Sequence, residues 1–182
     1  MSSTEVLQWT NSDPRESLLF NYASQCQMYR FSTEPNASGN QVTTLYKTIR
    51  PNREDKVAKL EWAPNGGLGR AIISKLTVPM VDLVRKDPRY PTSRIFNGPS
   101  DGRVYTWTRD ANGTDNILLD PDGVVIAAVK QTKPMRYPGL GNVYWELHLF
   151  RNAGQGVVMH PPLMDHVTVT AMLYRFVMQY NL

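Results

Sequence analysis

A single cysteine, Cys26, and three histidines are the whole supply of thiol and imidazole in these 182 residues. One cysteine excludes an intramolecular disulfide, and Cys26 has no helix N-terminus or cluster of cations beside it to activate it as a nucleophile. Three histidines support no Ser-His-Asp order. His160 and His166 with Asp165 make a poor metal set, because two prolines separate the histidines and no third ligand recurs at a fixed spacing. The stretch "GGLGR" at 66–70 lacks the third glycine and the following helix of a dinucleotide loop, and a hairpin turn accounts for it. Lys and Arg number 20 against 16 Asp and Glu, a net charge of +4, yet no run of five like charges occurs. A nucleic-acid stripe is therefore absent. Internal repeats and low-complexity tracts are lacking too. The opening "MSSTEVLQWTNSDPRE" has neither the charged n-region nor the apolar h-region of a signal peptide, which predicts a cytoplasmic protein. The sequons Asn36-Ala37-Ser38 and Asn112-Gly113-Thr114 weigh little against that, since they act only on secretion. These absences predict a protein that is not an enzyme, holds no metal and needs no cofactor to fold.

What is present is β-type sequence. Residues 1–24 carry little periodicity beyond Leu18, Leu19, Phe20 and Tyr22, and read as a partly ordered lead-in to one domain spanning 25–182. Strands are predicted at 28–32, 41–49, 56–62, 70–76, 79–84, 94–97, 103–108, 116–119, 123–130, 143–150 and 156–159, all rich in Val, Ile, Tyr, Trp and Thr. The separators "APNGG", "NGPSDG", "RDANGTDN", "DPDG", "YPGLGN" and "RNAGQG" supply Gly, Asn or Asp where a turn needs positive φ, and Pro where φ is preset. No segment between strands is long and helical enough for a parallel crossover, so the fold class is mainly β, an antiparallel meander of about 11–12 strands. A sheet of that size tends to curl into a barrel. Within 143–150, Val143, Trp145, Leu147 and Leu149 share the face predicted to be buried, and within 103–108 Tyr105 and Trp107 share one.

The last twenty residues, "LMDHVTVTAMLYRFVMQYNL", are the most apolar. Pro161 and Pro162 block helix upstream and Asp165 reads as an N-cap, so a helix is predicted over about 165–180. On it, Thr168, Met172, Arg175 and Gln179 form one narrow stripe in an otherwise apolar circumference. A bilayer span needs roughly 20 apolar residues, and Arg175 at its centre costs about 2.5–3.5 kcal/mol. Eight strands leave a barrel interior just wide enough for side chains, whereas eleven or twelve leave a wider lumen. A central helix would fill it.

An antiparallel barrel closed around a hydrophobic C-terminal helix resembles the tubby-like group, which includes tubby C-terminal domains, phospholipid scramblases and LURP-one-related proteins. The segments "GRVYTWT", "LLDPDGVVIAAVKQ", "GNVYWELHLF" and "LMDHVTVTAMLYRF", in that order and spacing, resemble an uncharacterised domain family common in mushroom-forming fungi and assigned to this fold. Within it, the chain is similar to the small coloured proteins of oyster mushrooms, which bind a linear polyene acid. The resemblance implies a non-enzymatic chromoprotein whose partner is a lipophilic small molecule, a polyene carboxylic acid held without covalent chemistry.

Such a ligand needs an apolar crevice, polarisable groups against its conjugated face and a cation or donor at its acid end. Tyr105, Trp107, Trp145, Met159, Met172 and Met178 are the candidate lining, and Arg175, Lys130 and His160 the candidate anchors. Each also has a plain structural reading: aromatics at strand alternation and Met on a buried helix are usually core, and Arg175 can simply pair with a carboxylate. Two other readings remain. Lys47, Arg50, Arg53 and Lys56 around one loop could meet anionic headgroups as a peripheral phosphoinositide-binding module, although Glu54 and Asp55 dilute them. A structural or storage protein with no ligand is the other.

Overall fold

The computed structural model describes residues 4–182, the side chains of residues 155 and 157 excepted. Thirteen strands form one antiparallel sheet: β1 (Thr4–Thr10), β2 (Ser17–Asn21), β3 (Cys26–Pro35), β4 (Gln41–Arg50), β5 (Arg53–Glu61), β6 (Arg70–Ile73), β7 (Leu76–Pro79), β8 (Arg85–Lys86), β9 (Arg94–Asn97), β10 (Val104–Arg109), β11 (Asn116–Leu119), β12 (Val125–Tyr137) and β13 (Gly141–Phe150). The spatial order is β7-β6-β5-β4-β3-β2-β1-β13-β12-β11-β10-β9-β8. Two meanders thus meet at β1 and β13, where Trp9 lies directly opposite Trp145. A short helix α1 (Met80–Leu83) links the two edge strands, and α2 (Leu163–Tyr180) follows a 3-10 segment at Gly154–Met159.

Chain connectivity dictates the curl. Thirteen strands spaced about 4.8 Å apart would put the edges of a flat sheet about 58 Å from each other. The link from Pro79 to Arg85 can span only about 20 Å fully extended. The edges must therefore come together, and the register shifts within β1, β2, β4, β11 and β12 add the local bends that allow it. The sheet curls like a barrel, but β7 and β8 are not paired with each other. The expected 11–12 strands become thirteen, with the seam bridged by α1.

The curled sheet surrounds α2. Every residue of this helix from His166 to Val177 is buried, the expected polar stripe included: Thr168, Met172 and Arg175 lie inside, and only Gln179 emerges. Buried hydroxyls return their hydrogens to the helix, Thr168 Oγ1 to Met164 O at 2.9 Å and Thr170 Oγ1 to Val167 O at 3.2 Å. Thr170 Oγ1 also accepts Trp107 Nε1–H at 3.0 Å. Leu7, Trp9, Tyr29, Phe31, Leu45, Leu60 and Leu147 from the strands, with Trp62 just after β5, share one core cluster with the helix.

Five expectations are corrected. Of the presumed lead-in, residues 1–3 lie outside the described residues, but 4–24 contain β1 and β2, near the middle of the sheet. Polar residues hide β1: Glu5 shares the face of Leu7 and Trp9, satisfied by Asn21 and Arg151. The predicted strand 79–84 is α1, because Met80, Leu83 and Val84 are buried at helical spacing behind Pro79. Segment 70–76 breaks into β6 and β7 at Ser74, whose φ is 57°. Segment 156–159 belongs to the 3-10 turn, which Gly154 and Gly156 enter at positive φ. Asp165 does not cap α2, which starts at Leu163. Its Oδ1 accepts instead from Tyr29 Oη at 2.6 Å and Lys47 Nζ at 3.0 Å.

Candidate functional site

A cleft of about 580 Å³ opens where the C-terminal half of α2 meets β12 and β13, with Ser12 and the β10–β11 hairpin on its other sides. Tyr174, Arg175, Met178 and Gln179 come from the helix, Gln131, Thr132, Pro134, Tyr144 and Trp145 from the two strands, and Arg109, Gly113, Thr114 and Asn116 from the hairpin. The lining holds two arginines and no carboxylate. Its size suits a small organic ligand, for which pockets of about 300–1,000 Å³ are usual.

Arg175 is the centre of this site. Its side chain is 5% exposed, and its Cζ lies 4.5 Å from the ring centroid of Trp9 and 4.6 Å from that of Trp145. Cross-strand pairing sets these two rings side by side under the helix. Trp9 is locked by its Nε1–H to Ser17 Oγ at 2.7 Å, and Ser17 Oγ donates in turn to Pro14 O. The guanidinium makes no ion pair, and its Nε and Nη1 have no hydrogen-bond partner among the described residues. Asp13 favours the charged form electrostatically but is engaged by Arg15 at 2.9 Å. Burial pushes Arg175 down to about 9, so it stays cationic at neutral pH. The expected carboxylate pairing is thus replaced by two aromatic faces, a contact worth about 2 kcal/mol when desolvated.

A third buried atom is also unpartnered among the described residues, the Oγ1 of Thr132, another residue of the lining. The β12–β13 ladder is interrupted between Gln131 and Met135. Thr132 and Pro134 of this irregular stretch line the cleft, and such bulges are common beside functional sites. On the opposite wall Tyr174 stacks on Trp107 at 5.8 Å and donates from Oη to Asn116 Oδ1 at 3.3 Å. Arg109 is exposed at the lip.

Of the nine residues singled out in the sequence, the cleft brings together Trp145, Arg175 and Met178. Tyr105, Trp107 and Met172 are core instead. Trp107 and Met172 are fully buried against the helix and sheet, and Tyr105 stacks on Phe96 at 5.4 Å with its hydroxyl facing Asp101. Met159 and His160 precede the N-terminal end of α2, whereas Arg175 lies about 18 Å along the axis from Leu163 at 1.5 Å rise per residue. Lys130 is paired with Asp115 at 3.0 Å, on the strand face opposite to Gln131. Sequence reasoning missed Trp9, Thr132, Tyr174 and Arg109. Pro134 inside a long strand was the readable signal for the bulge. Around the β4–β5 hairpin, Lys47 is held by Asp165, Arg53 lies 3.6 Å from Asp55, and Arg30 occupies Glu54 at 2.6 Å.

Residues 12–174 match the model of a family described as Family of unknown function (DUF6593). The chain belongs to that family. No curated protein and no solved structure matches it. The matched residues run from the cleft residue Ser12 to Tyr174, one residue before Arg175. Among the described residues of this family member, no helix is long and apolar enough to cross a membrane, and no three His, Cys, Asp or Glu side chains gather as a metal site would require.

Proposed function

We propose that this protein is a soluble, non-enzymatic binding protein for a lipophilic small molecule, a linear polyene carboxylic acid pigment, held non-covalently in the cleft beside α2. The observation that carries this reading is the buried guanidinium of Arg175, a residue of the cleft lining, which lies over two tryptophans and has no carboxylate partner among the described residues. Trp145, Tyr144, Tyr174 and Met178 supply the polarisable walls a conjugated chain prefers. A tubby-like relationship and a fungal, coloured-protein origin belong to the same proposal and rest on the sequence resemblance alone.

The phosphoinositide reading draws less support, since Lys47 is withdrawn from its four cations by Asp165. The test is an absorption spectrum of the protein purified from its natural source, followed by addition of a polyene acid to the colourless recombinant chain. A visible band that co-elutes with the protein is expected. A protein that is colourless from its source and takes up no polyene acid would sink the proposal.

A further inference from the structure

We propose that the free margin of β12, at Gln131–Tyr137, docks an extended acidic segment of a partner protein, which adds to the sheet as one more strand. The proposal is independent of what the cleft holds. β12 runs from Val125 to Tyr137, but β11 pairs with it only as far as Asn116 opposite Val129. On its other side β13 follows it to Gly141 opposite Tyr137, with an interruption between Gln131 and Met135. Beyond Val129 the side of β12 toward the β10–β11 hairpin therefore carries no strand, and among the described residues no turn or loop backbone hydrogen-bonds to residues 131–136. Gln131, Lys133, Pro134, Met135 and Arg136 are exposed, Met135 by 53%. An unpaired row of N–H and C=O groups is a template for another strand, and proteins commonly blunt such margins. The two outer edges of this sheet are blunted by length, since β7 has four residues and ends on Pro79 and β8 has two. The β12 margin is longer, about 20 Å at about 3.3 Å per residue. Pro134 and the interruption take donors from its middle, so a docked strand is held chiefly at Met135–Tyr137, where the pairing with β13 is regular.

Charge selects the occupant. Lys133 and Arg136 stand on the margin, and Arg109 lies two strands away, level with Val129. Among the described residues none of the three is in an ion pair, whereas the carboxylates of the neighbouring hairpin are taken. Asp115 is held by Lys130 at 3.0 Å, and Asp110 accepts from the backbone N–H groups of Thr114 and Asp115 at 2.8 and 3.1 Å. Opposite charges across a strand pair favour pairing and like charges oppose it. A second copy meeting this margin would set cations against cations, while an acidic strand meets both Lys133 and Arg136. Met135 adds an adaptable apolar contact. Main-chain hydrogen bonds then supply affinity and the side chains choose the partner, as in strand addition generally.

The experiment titrates three fluorescein-labelled peptides into the full chain and into the double variant Lys133→Glu, Arg136→Glu, reading fluorescence anisotropy. The probes are an alternating Glu-Val peptide, its Lys-Val counterpart, and the Glu-Val peptide N-methylated throughout, which keeps its charge and donates no ladder hydrogen bond. The acidic peptide is expected to bind at least about tenfold more tightly than either of the others, and the double variant to reverse the preference between acidic and basic peptides. Hydrogen exchange of the complex should slow at Met135–Tyr137, and light scattering should find the chain alone to be a monomer. The N-methylated peptide is read on the unaltered chain, so the outcome does not hinge on the variant. Equal binding of acidic and basic peptides, N-methylated binding as tight as its parent, or no binding below about 1 mM would overturn the inference. So would a chain that dimerises through this margin, or exchange that slows elsewhere and not at Met135–Tyr137.

Discussion

The two ends of α2 are built to opposite rules. Near its start, Asp165 is flanked by Lys47 Nζ and Tyr29 Oη, with the lysine also lying 5.6 Å from the Tyr29 ring. Lys47 and Asp165 are largely buried, with side chains 15% and 13% exposed. Near its end, Arg175 is more deeply buried and has aromatic faces but no opposite charge in contact. Both ends place an ionised side chain out of water, which costs several kcal/mol unless it is paired. One end resolves that cost within the protein, and the other leaves it open beside a cleft. A closed polar cluster fixes the helix in the sheet, whereas an open one leaves room for the outside group proposed above.

If that contrast is sound, breaking the closed end should cost most. Asp165→Ala strands a buried ammonium and a buried phenol, and urea unfolding should record a loss of about 3–5 kcal/mol. A loss below about 1 kcal/mol would mean that the cluster is solvated and the contrast false. Midway along the helix, Thr170→Val leaves Trp107 Nε1–H without its acceptor, and the same measurement should show about 1–3 kcal/mol.

The smallest change in stability belongs to the open end. Arg175→Met should shift stability by less than about 1 kcal/mol, since removing a buried, unpaired charge offsets the lost aromatic contact, while binding of an acid is abolished. The pH dependence follows in sign. Arg175 loses its proton in the folded state at about 9 and in the unfolded chain only above about 12. Between those values the unfolded chain binds the extra proton, so its folded form gains stability as pH rises. The difference between wild type and Arg175→Met should move in the wild type's favour above pH 9, with acid binding fading over the same interval. Unfolding curves at pH 8 and 10.5 check the first, and a titration of the acid the second. Parallel curves at both values would show that Arg175 keeps its proton throughout.

Much of this architecture was legible because strand alternation, turn residues and an all-round apolar helix are local signals. The end of the helix at Tyr180, the strands at 94–97 and 116–119 and the buried face of β13 follow from neighbours a few residues apart. β1 was not legible because Glu5 and Gln8 are buried polar residues whose partners come from elsewhere in the chain. The site divides the same way. Trp145, Arg175 and Met178 could be nominated from strand and helix periodicity. Tyr105, Trp107 and Met172 share those patterns and are core, since periodicity tells which face is buried and not which part of it meets a cleft. Trp9 and Thr132 depend on the β1–β13 register and on an interruption in the β12–β13 ladder, neither of which a local window contains.

The pairing of β1 with β13 also sets a timetable for biosynthesis. The seven strands of the first meander can zip together as they emerge, but one margin of that half-built sheet is β1 itself, bearing Leu7 and Trp9. Its neighbour β13 and the filling helix α2 come near the end of translation, on the order of ten seconds later at about 5–20 residues per second. For that interval the nascent chain displays an unpaired β margin and an empty apolar trough, a template for mispairing with other chains. Recovery of folded protein should therefore depend on elongation speed and chaperone supply more than the stability of the finished molecule would suggest.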